Sequence, residues 1–181
     1  MTDLRAFAWP AAPIRTERLV LRASEARDRA AAIELNASPE VNAYLGGPRP
    51  RAELERGMPE VPGQRPGFFV IEVGGSAIGT LMLDPHAERP GHIRPDVART
   101  ELGYLFLPQA WGHGYATEAC AAALDWFAGA CPGEAVVLRT QSANKRSMRL
   151  AARLGFTEVE RYEDFGAEQW FGVWTSAPSP A

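Results

Sequence analysis

The chain alternates between two hydrophobic spacings, one typical of strands and the other of helices. Leu19 and Leu21 alternate with polar neighbours, as in a strand that buries one face. Short apolar or aromatic runs bounded by Gly, Pro or Asp indicate further strands, and Gly74-Gly75-Ser76 between two of them indicates a hairpin. The predicted strands are residues 16–22, 68–73, 77–83, 102–107, 135–140, 159–162 and 169–174.

Apolar residues that recur at three- and four-residue spacing predict the helices. Ser24 is a candidate N-cap for the first helix, and Gly155 followed by Phe156 is a common ending for the last one. The predicted helices are residues 24–36, a weaker patch after Pro39, a short helix at 51–56, and longer ones at 116–127 and 145–154.

The order of these elements predicts an α/β (α+β) fold with a mixed, mainly antiparallel central sheet flanked by helices. We expect residues 1–13 to form a flexible arm, residues 14–175 a single domain, and residues 176–181 a disordered tail. Residues 84–100 carry no periodicity, and loops of that length are often lids, binding loops or disordered. His86 and His92 in this loop could be ligands or bases, but a solvated loop is favoured because no third ligand converges on them.

Composition and charge exclude several classes of protein. Hydrophobic residues make up 46% and charged residues 23% of the chain, as in ordinary globular proteins, and the net charge of −3 gives no general attraction to nucleic acid or anionic membranes. No apolar run approaches the roughly 20 residues that span a bilayer. Cys120 and Cys131 form no disulfide framework and no metal-ligand spacing. We therefore expect a cytoplasmic protein with no metal, nucleic-acid or membrane partner.

The candidate chemistry begins in the loop between the strand 102–107 and the helix 116–127. Gly112 and Gly114 allow close backbone approach just before a helix start, where unpaired N–H groups and the helix dipole favour an anion such as a pyrophosphate. The loop lacks both the nucleoside-triphosphate P-loop pattern and the third glycine of the dinucleotide fingerprint. A plain turn without a ligand is the alternative.

Several separated motifs resemble one enzyme family. Gln109-x-x-Gly112-x-Gly114 resembles the pyrophosphate loop of the GCN5-related N-acetyltransferases (GNAT). The longer string 107–119 and the opening TERLVLR at 16–22 are similar to the branch that contains the ribosomal-protein N-terminal acetyltransferases (RimJ/RimL-like). Asn144-x-x-Ser147 and the RLGF sequence at 153–156 also resemble the family. The resemblance covers residues 16–174 and implies the GNAT-like acyl-CoA N-acyltransferase fold.

The resemblance implies acetyl-CoA as cosubstrate and no metal. It implies that Asn144 holds the pantetheine arm, with the backbone at Phe106 and Leu107 pairing like an added strand. The basic residues in the first turns of the helix 145–154 could meet a coenzyme A phosphate, although a solvated basic face is an equal alternative. The candidate cofactor-binding residues are Phe106, Leu107, Gln109, Trp111, Gly112, His113, Gly114, Tyr115, Ala116, Thr117, Asn144, Arg146, Ser147 and Arg149.

The implied reaction is direct attack of a primary amine on the thioester within a ternary complex. Many relatives carry a tyrosine seven residues after the asparagine, but Ala151 stands there, so Ser147 is the candidate donor to the departing thiolate. Glu101 is the candidate for the base or for holding a water or the amine; the alternative is an exposed acid at a strand end. A backbone N–H at Phe106 is the candidate oxyanion donor.

The acceptor is left open by the sequence, because a peptide N-terminus, a lysine, a polyamine and a small drug-like amine present the same nucleophile. Asp84, Glu101 and Asp164 could favour a cation. Tyr44, Trp170 and Trp174 could line the pocket, although core positions are the more common role. A homodimer would follow the habit of the resembled branch. The alternatives to an enzyme are a non-catalytic acyl-CoA sensor and an interaction domain.

Overall fold

The computed structural model describes residues 12–86 and 91–176, and most of the predicted arm and tail lie outside these ranges. Within these ranges, eight strands form one sheet in the order β1-β2-β3-β4-β5-β6-β8-β7. The strands are β1 (Ile14–Arg15), β2 (Val20–Arg22), β3 (Phe68–Val73), β4 (Ser76–Pro85), β5 (Thr100–Phe106), β6 (Val136–Gln141), β7 (Thr157–Asp164) and β8 (Ala167–Trp174). The helices are α1 (Arg29–Ala37), α2 (Arg51–Gly57), α3 (Tyr115–Ala130) and α4 (Lys145–Leu154).

Every neighbouring pair of strands is antiparallel except β5 and β6, which are parallel. This confirms the predicted mixed, mainly antiparallel sheet with flanking helices. The parallel pair lies between β4 on one side and β8 on the other, so it joins two antiparallel halves of the sheet.

The two faces of the sheet carry different layers. On the first face, Leu81, Leu102 and Leu138 belong to a core cluster that also contains Leu124 and Phe127 of α3. On the second face, a smaller cluster of Ala98, Val137 and Phe171 is partly covered by Val97. Because side chains alternate along a strand, neighbours of these residues in β5 and β6 are divided between the two layers.

Near the N-terminus, tertiary contacts override the local pattern. The prediction of Ser24 as N-cap is wrong, because a 3-10 turn (Ala26–Asp28) precedes α1. Asp28 accepts hydrogen bonds from the buried Arg22 side chain and from the Glu25 N–H, and this ion pair sets the start of the helix. The first strand is shorter than predicted, since residues 16–19 form a turn, and the patch after Pro39 forms turns instead of a helix.

The strongest local signals are confirmed. The helix at 145–154 has the predicted bounds, and Gly155 follows it as its C-cap. The short helix at 51–56 is α2, and both predicted hairpins form. The strand β3 has its predicted bounds, and the other three hairpin strands are slightly longer than predicted.

Candidate active site

A cleft divides the sheet between β5 and β6. The two strands pair at only two positions in the described sheet, Thr100 with Val136 and Glu101 with Val137. Beyond them β5 stays paired with β4, and β6 stays paired with β8 as far as Gln141. The strands therefore diverge toward their carboxyl ends, where α3 and α4 begin.

The register of β5 aims part of its backbone into this cleft. The N–H of Leu107 donates to the C=O of Ile78 at 2.9 Å, so the N–H of Phe106 points away from β4. The C=O of Phe106 accepts the indole N–H of Trp111 at 2.9 Å. Of the two predicted backbone contacts, Phe106 thus has its N–H directed at the cleft, whereas Leu107 uses its N–H inside the sheet.

The loop before α3 has two glycines in the left-handed region immediately before the helix starts. Gly112 and Gly114 have φ of 83° and 78°, and Gly114 is the N-cap of α3 without a side-chain capping bond. An uncapped helix start leaves its first N–H groups available to a ligand. His113 stacks on Tyr115, Ala116 and Thr117 follow in the first turn, and Gln109 lies exposed in the 3-10 turn before the glycines.

The start of α4 lies against the same loop. The Arg146 guanidinium lies 4.4 Å from the centre of the Trp111 ring, so the second predicted cofactor element contacts the first. Asn144 is the N-cap of α4, and its Oδ1 accepts the Ser147 N–H at 3.2 Å. Arg149 is exposed one turn further along the helix.

Tyr104 was not predicted as a site residue, yet it joins β5 to α4 at Ser147. Its hydroxyl makes a short hydrogen bond to the Ser147 hydroxyl. Burial raises the pKa of Tyr104 above its usual value, so the phenol stays protonated and can donate to Ser147. The available sequence signal was its shared face with Leu102 and Phe106.

Glu101 lies on the second face, in a buried ion pair. It is 3% exposed, its Oε1 accepts the Arg139 Nε–H at 3.1 Å, and its Oε2 lies 3.1 Å from His86 Nδ1. Burial lowers the pKa of Arg139, but the Glu101 charge and hydrogen bonds outweigh it, so the net shift is upward. The alternative of an exposed acid at a strand end is wrong, because Glu101 is buried and its carboxylate lies between His86 and Arg139.

The interpretation of His86 as a solvated loop residue is also wrong. His86 is fully buried, and its Nε2 accepts the backbone N–H of Arg94 at 2.9 Å. Nε2 is thus the acceptor, so in a neutral ring Nδ1 carries the hydrogen and donates it to Glu101. His92 is half-exposed, and its Nε2 lies 2.6 Å from Glu160 Oε1.

Arg18 is a second residue that the sequence did not predict. From the turn between β1 and β2 it donates to the His113 C=O at 2.8 Å and to the Glu118 carboxylate at 2.7 Å. Its guanidinium lies 4.7 Å from the centre of the Tyr115 ring. The glycine loop is therefore contacted by Arg18 as well as by Arg146.

The residues suggested for the acceptor pocket do not form one group. Trp170 is a core residue, Trp174 packs partly buried against the same core, and Tyr44 is 40% exposed. Asp84 is paired with Arg65, as Glu101 is with Arg139, so these two acids have a positive partner already. The charge argument for a cationic acceptor therefore has little support from them.

Comparison with known proteins identifies the family. The sequence matches the acetyltransferase (GNAT) domain over residues 18–157, most of the chain. The chain belongs to the GNAT family. It is an acetyl-CoA-dependent N-acetyltransferase. No helix in the described residues is long and apolar enough to cross a membrane, and no group of three or more His, Cys, Asp or Glu side chains there could hold a metal ion.

Solved structures share the fold of this GNAT protein. An acetyltransferase from Agrobacterium tumefaciens is 25% identical, with a TM-score of 0.69 over 94% of this chain and 98% of that one. A spermidine N-acetyltransferase from Vibrio cholerae, in complex with CoA and spermine, is 19% identical (TM-score 0.69; 88% and 96% covered). An aminoglycoside acetyltransferase AAC(6')-Ib in complex with coenzyme A is 15% identical (TM-score 0.68; 87% and 94% covered).

Proposed function

We propose that this GNAT enzyme transfers the acetyl group of acetyl-CoA to a primary amine by direct attack in a ternary complex. The cleft between β5 and β6 is the observation that carries the proposal. It exposes backbone hydrogen-bonding groups of β5 to a ligand that carries amides of its own, as the pantetheine arm does. It ends at the uncapped start of α3 and at the basic first turns of α4, both of which suit phosphate groups.

Each part of the cofactor has a proposed position. The diphosphate lies on the N–H groups of residues 112–117, and the pantetheine arm lies beside Phe106 and Leu107 with the Asn144 amide as a further contact. The coenzyme A phosphates have Arg146 and Arg149 as cationic partners. The uncapped Gly114 and the contact of Arg146 with Trp111 support this arrangement, because they bring phosphate-binding groups from two helices together.

The acyl transfer uses groups on both sides of the cleft. The amine nitrogen attacks the thioester carbon, and the Phe106 N–H donates to the resulting oxyanion. As the carbon–sulfur bond breaks, the Ser147 hydroxyl donates a hydrogen bond to the thiolate sulfur. Tyr104 donates to Ser147 and so leaves the serine hydrogen free for the sulfur. Cys120 has no part in the reaction, because burial raises the pKa of its thiol and keeps it protonated.

Glu101 acts on the amine from the other face of the sheet. Its carboxylate already accepts hydrogen bonds from Arg139 and lies against His86. Because both of its carboxylate oxygens already have these partners, the proposed role of Glu101 is to hold a water or the amine, and a bound water carries the amine proton to solvent.

The proposed acceptor is a protein N-terminal α-amine or a small-molecule amine. The first follows from the RimJ/RimL-like motifs, and the second from solved structures of the same fold that are named for spermidine and aminoglycosides. A thiol-release assay with acetyl-CoA would compare peptides with varied first residues, lysine, polyamines and aminoglycosides. Release with one of these classes, and intersecting double-reciprocal plots with it, are expected for a ternary complex.

Two results would contradict the proposal. Parallel double-reciprocal plots would indicate an acetyl-enzyme intermediate instead of direct attack. Tight coenzyme A binding without thiol release over the whole panel would favour the alternative of an acyl-CoA sensor. Ser147→Ala should retain coenzyme A binding and lose turnover, which separates the chemical step from recognition of the cofactor.

A further inference from the structure

Arg18 lies far from the glycine loop in the sequence, yet three of its contacts are with that loop and the helix that follows. Nη1 donates to the His113 C=O at 2.8 Å, Nε donates to Glu118 Oε2 at 2.7 Å, and the guanidinium lies over the Tyr115 ring. A β-carbon at Gly114 would lie 3.5 Å from Arg18 Nη2, so the guanidinium also borders the N-cap.

The bond to His113 determines which way the next N–H points. In a trans peptide the C=O of one residue and the N–H of the following residue point in opposite directions. Because the His113 C=O is turned toward Arg18, the Gly114 N–H is turned away from Arg18. The positive φ of Gly112 and Gly114 allows this peptide orientation, but it does not by itself select it.

The same arginine controls a negative charge beside the loop. Glu118 lies at the start of α3, where its carboxylate would repel a bound phosphate unless neighbouring groups offset its negative charge. Its Oε1 accepts hydrogen bonds from the Thr16 hydroxyl at 2.6 Å and from the backbone N–H of Arg18 at 3.0 Å. Its Oε2 accepts a hydrogen bond from Nε of the Arg18 side chain. Burial raises the pKa of Glu118, but these bonds outweigh it and leave a net lowering, so Glu118 stays a charged acceptor for Arg18.

We propose that Arg18 is a positioning residue for the diphosphate loop. It holds the 113–114 peptide with its C=O outward, so that the Gly114 N–H faces the coenzyme A diphosphate before the ligand arrives. Glu118 and Thr16 hold Arg18 in place. The inference rests on the proposed binding of the diphosphate at residues 112–117. Preorganisation of this kind increases affinity because the loop does not have to be ordered on binding.

The first test is Arg18→Met, with Arg27→Met as the matched control. Arg27 is similarly exposed (51% against 43%) and also ion-paired to a glutamate, but its partners are Glu25 and Glu72. Loss of one charge-assisted main-chain bond should weaken coenzyme A about 10- to 100-fold in calorimetry. The kcat/KM with acetylpantetheine, which lacks the diphosphate, should stay the same, whereas a general structural defect would lower it too. Arg27→Met should change neither value.

A second pair of variants separates positioning from charge. Glu118→Gln removes the charge, and Arg18→Met with Glu118→Gln removes both partners. If Arg18 positions the peptide, the double variant stays as weak as Arg18→Met. Recovery of coenzyme A affinity in the double variant would overturn the inference, since uncompensated Glu118 would then explain the loss. If Arg18→Met does not fold, Arg18→Lys takes its place, because one ammonium group cannot hold His113 and Glu118 together.

The outcomes distinguish the inference from the proposed function. Wild-type protein that does not bind coenzyme A would contradict the proposed function. Wild-type protein that binds it while Arg18→Met binds equally well would overturn only the role of Arg18, and so would an equal loss with acetylpantetheine.

Discussion

The contact between Tyr104 and Ser147 leads to a specific kinetic prediction. Tyr104→Phe removes one hydroxyl and keeps the ring that packs against the core. In the proposed mechanism the protonated phenol is the donor in this bond, so the Ser147 hydrogen is free to bond the departing sulfur. In the variant Ser147 loses this donor, and its hydroxyl can turn to other acceptors.

The size of the effect follows from the single bond that is lost. A hydrogen bond between neutral groups contributes about 1 kcal/mol, which corresponds to about a fivefold lower kcat if the bond acts fully in the transition state. Ser147→Ala removes the proposed donor itself and should cost about 10- to 100-fold in kcat, as expected for the loss of a hydrogen bond to a charged group. The KM for acetyl-CoA should change little in either variant, because neither hydroxyl is proposed to hold the diphosphate.

A double-mutant cycle tests whether Tyr104 acts through Ser147. Thiol release under saturating acetyl-CoA gives kcat for both single variants and for the double variant. The double variant should be no slower than Ser147→Ala. Losses that multiply would refute the reasoning, since Tyr104 would then act independently of Ser147, and so would an unchanged kcat in Tyr104→Phe.

Three further predictions concern the loop, the N-terminal ion pair and a cysteine. Gly114→Ala and Gly133→Ala place a β-carbon at nearly the same φ (78° and 79°), so each should lower the free energy of unfolding by about 1 kcal/mol and Tm by about 2–4 °C. Only Gly114→Ala should weaken the binding of coenzyme A in calorimetry. Asp28→Asn breaks a buried pair with Arg22 and should cost about 3–5 kcal/mol in denaturant unfolding. Burial raises the pKa of Asp28, but the hydrogen bonds from Arg22 and from the Glu25 N–H have the larger effect, so the net pKa is lowered. The stabilisation by this pair should therefore be complete above about pH 4 and should decline as the pH falls through the lowered pKa of Asp28. Asp28→Asn should not show this pH dependence. Cys120 is fully buried with a raised pKa, so a thiol reagent should label it only after unfolding, and rapid labelling of the native protein would contradict its burial.

Much of the fold was predictable because local signals agree with the tertiary structure. The helix α4 has an Asn at its start, a Gly at its end and basic residues between, and its bounds were predicted without error. The loop before α3 could also be predicted from its glycines, because the requirement for positive φ restricts the residue type at those positions. The start of α1 was not predictable, since the buried Arg22 places Asp28 and overrides the capping preference of Ser24.

The sequence by itself determined the order of the elements, the location of the glycine loop before α3 and the candidates on α4, because propensities, caps and turns act over a few residues. Only the tertiary structure decided that Glu101 is paired with Arg139, that Tyr104 meets Ser147, and that Arg18 holds the loop 95 residues away. Such contacts depend on the order and register of strands, since a shift of one residue would turn each side chain to the other face. No local pattern encodes that register, so the partners of these groups emerge only when the sheet is assembled.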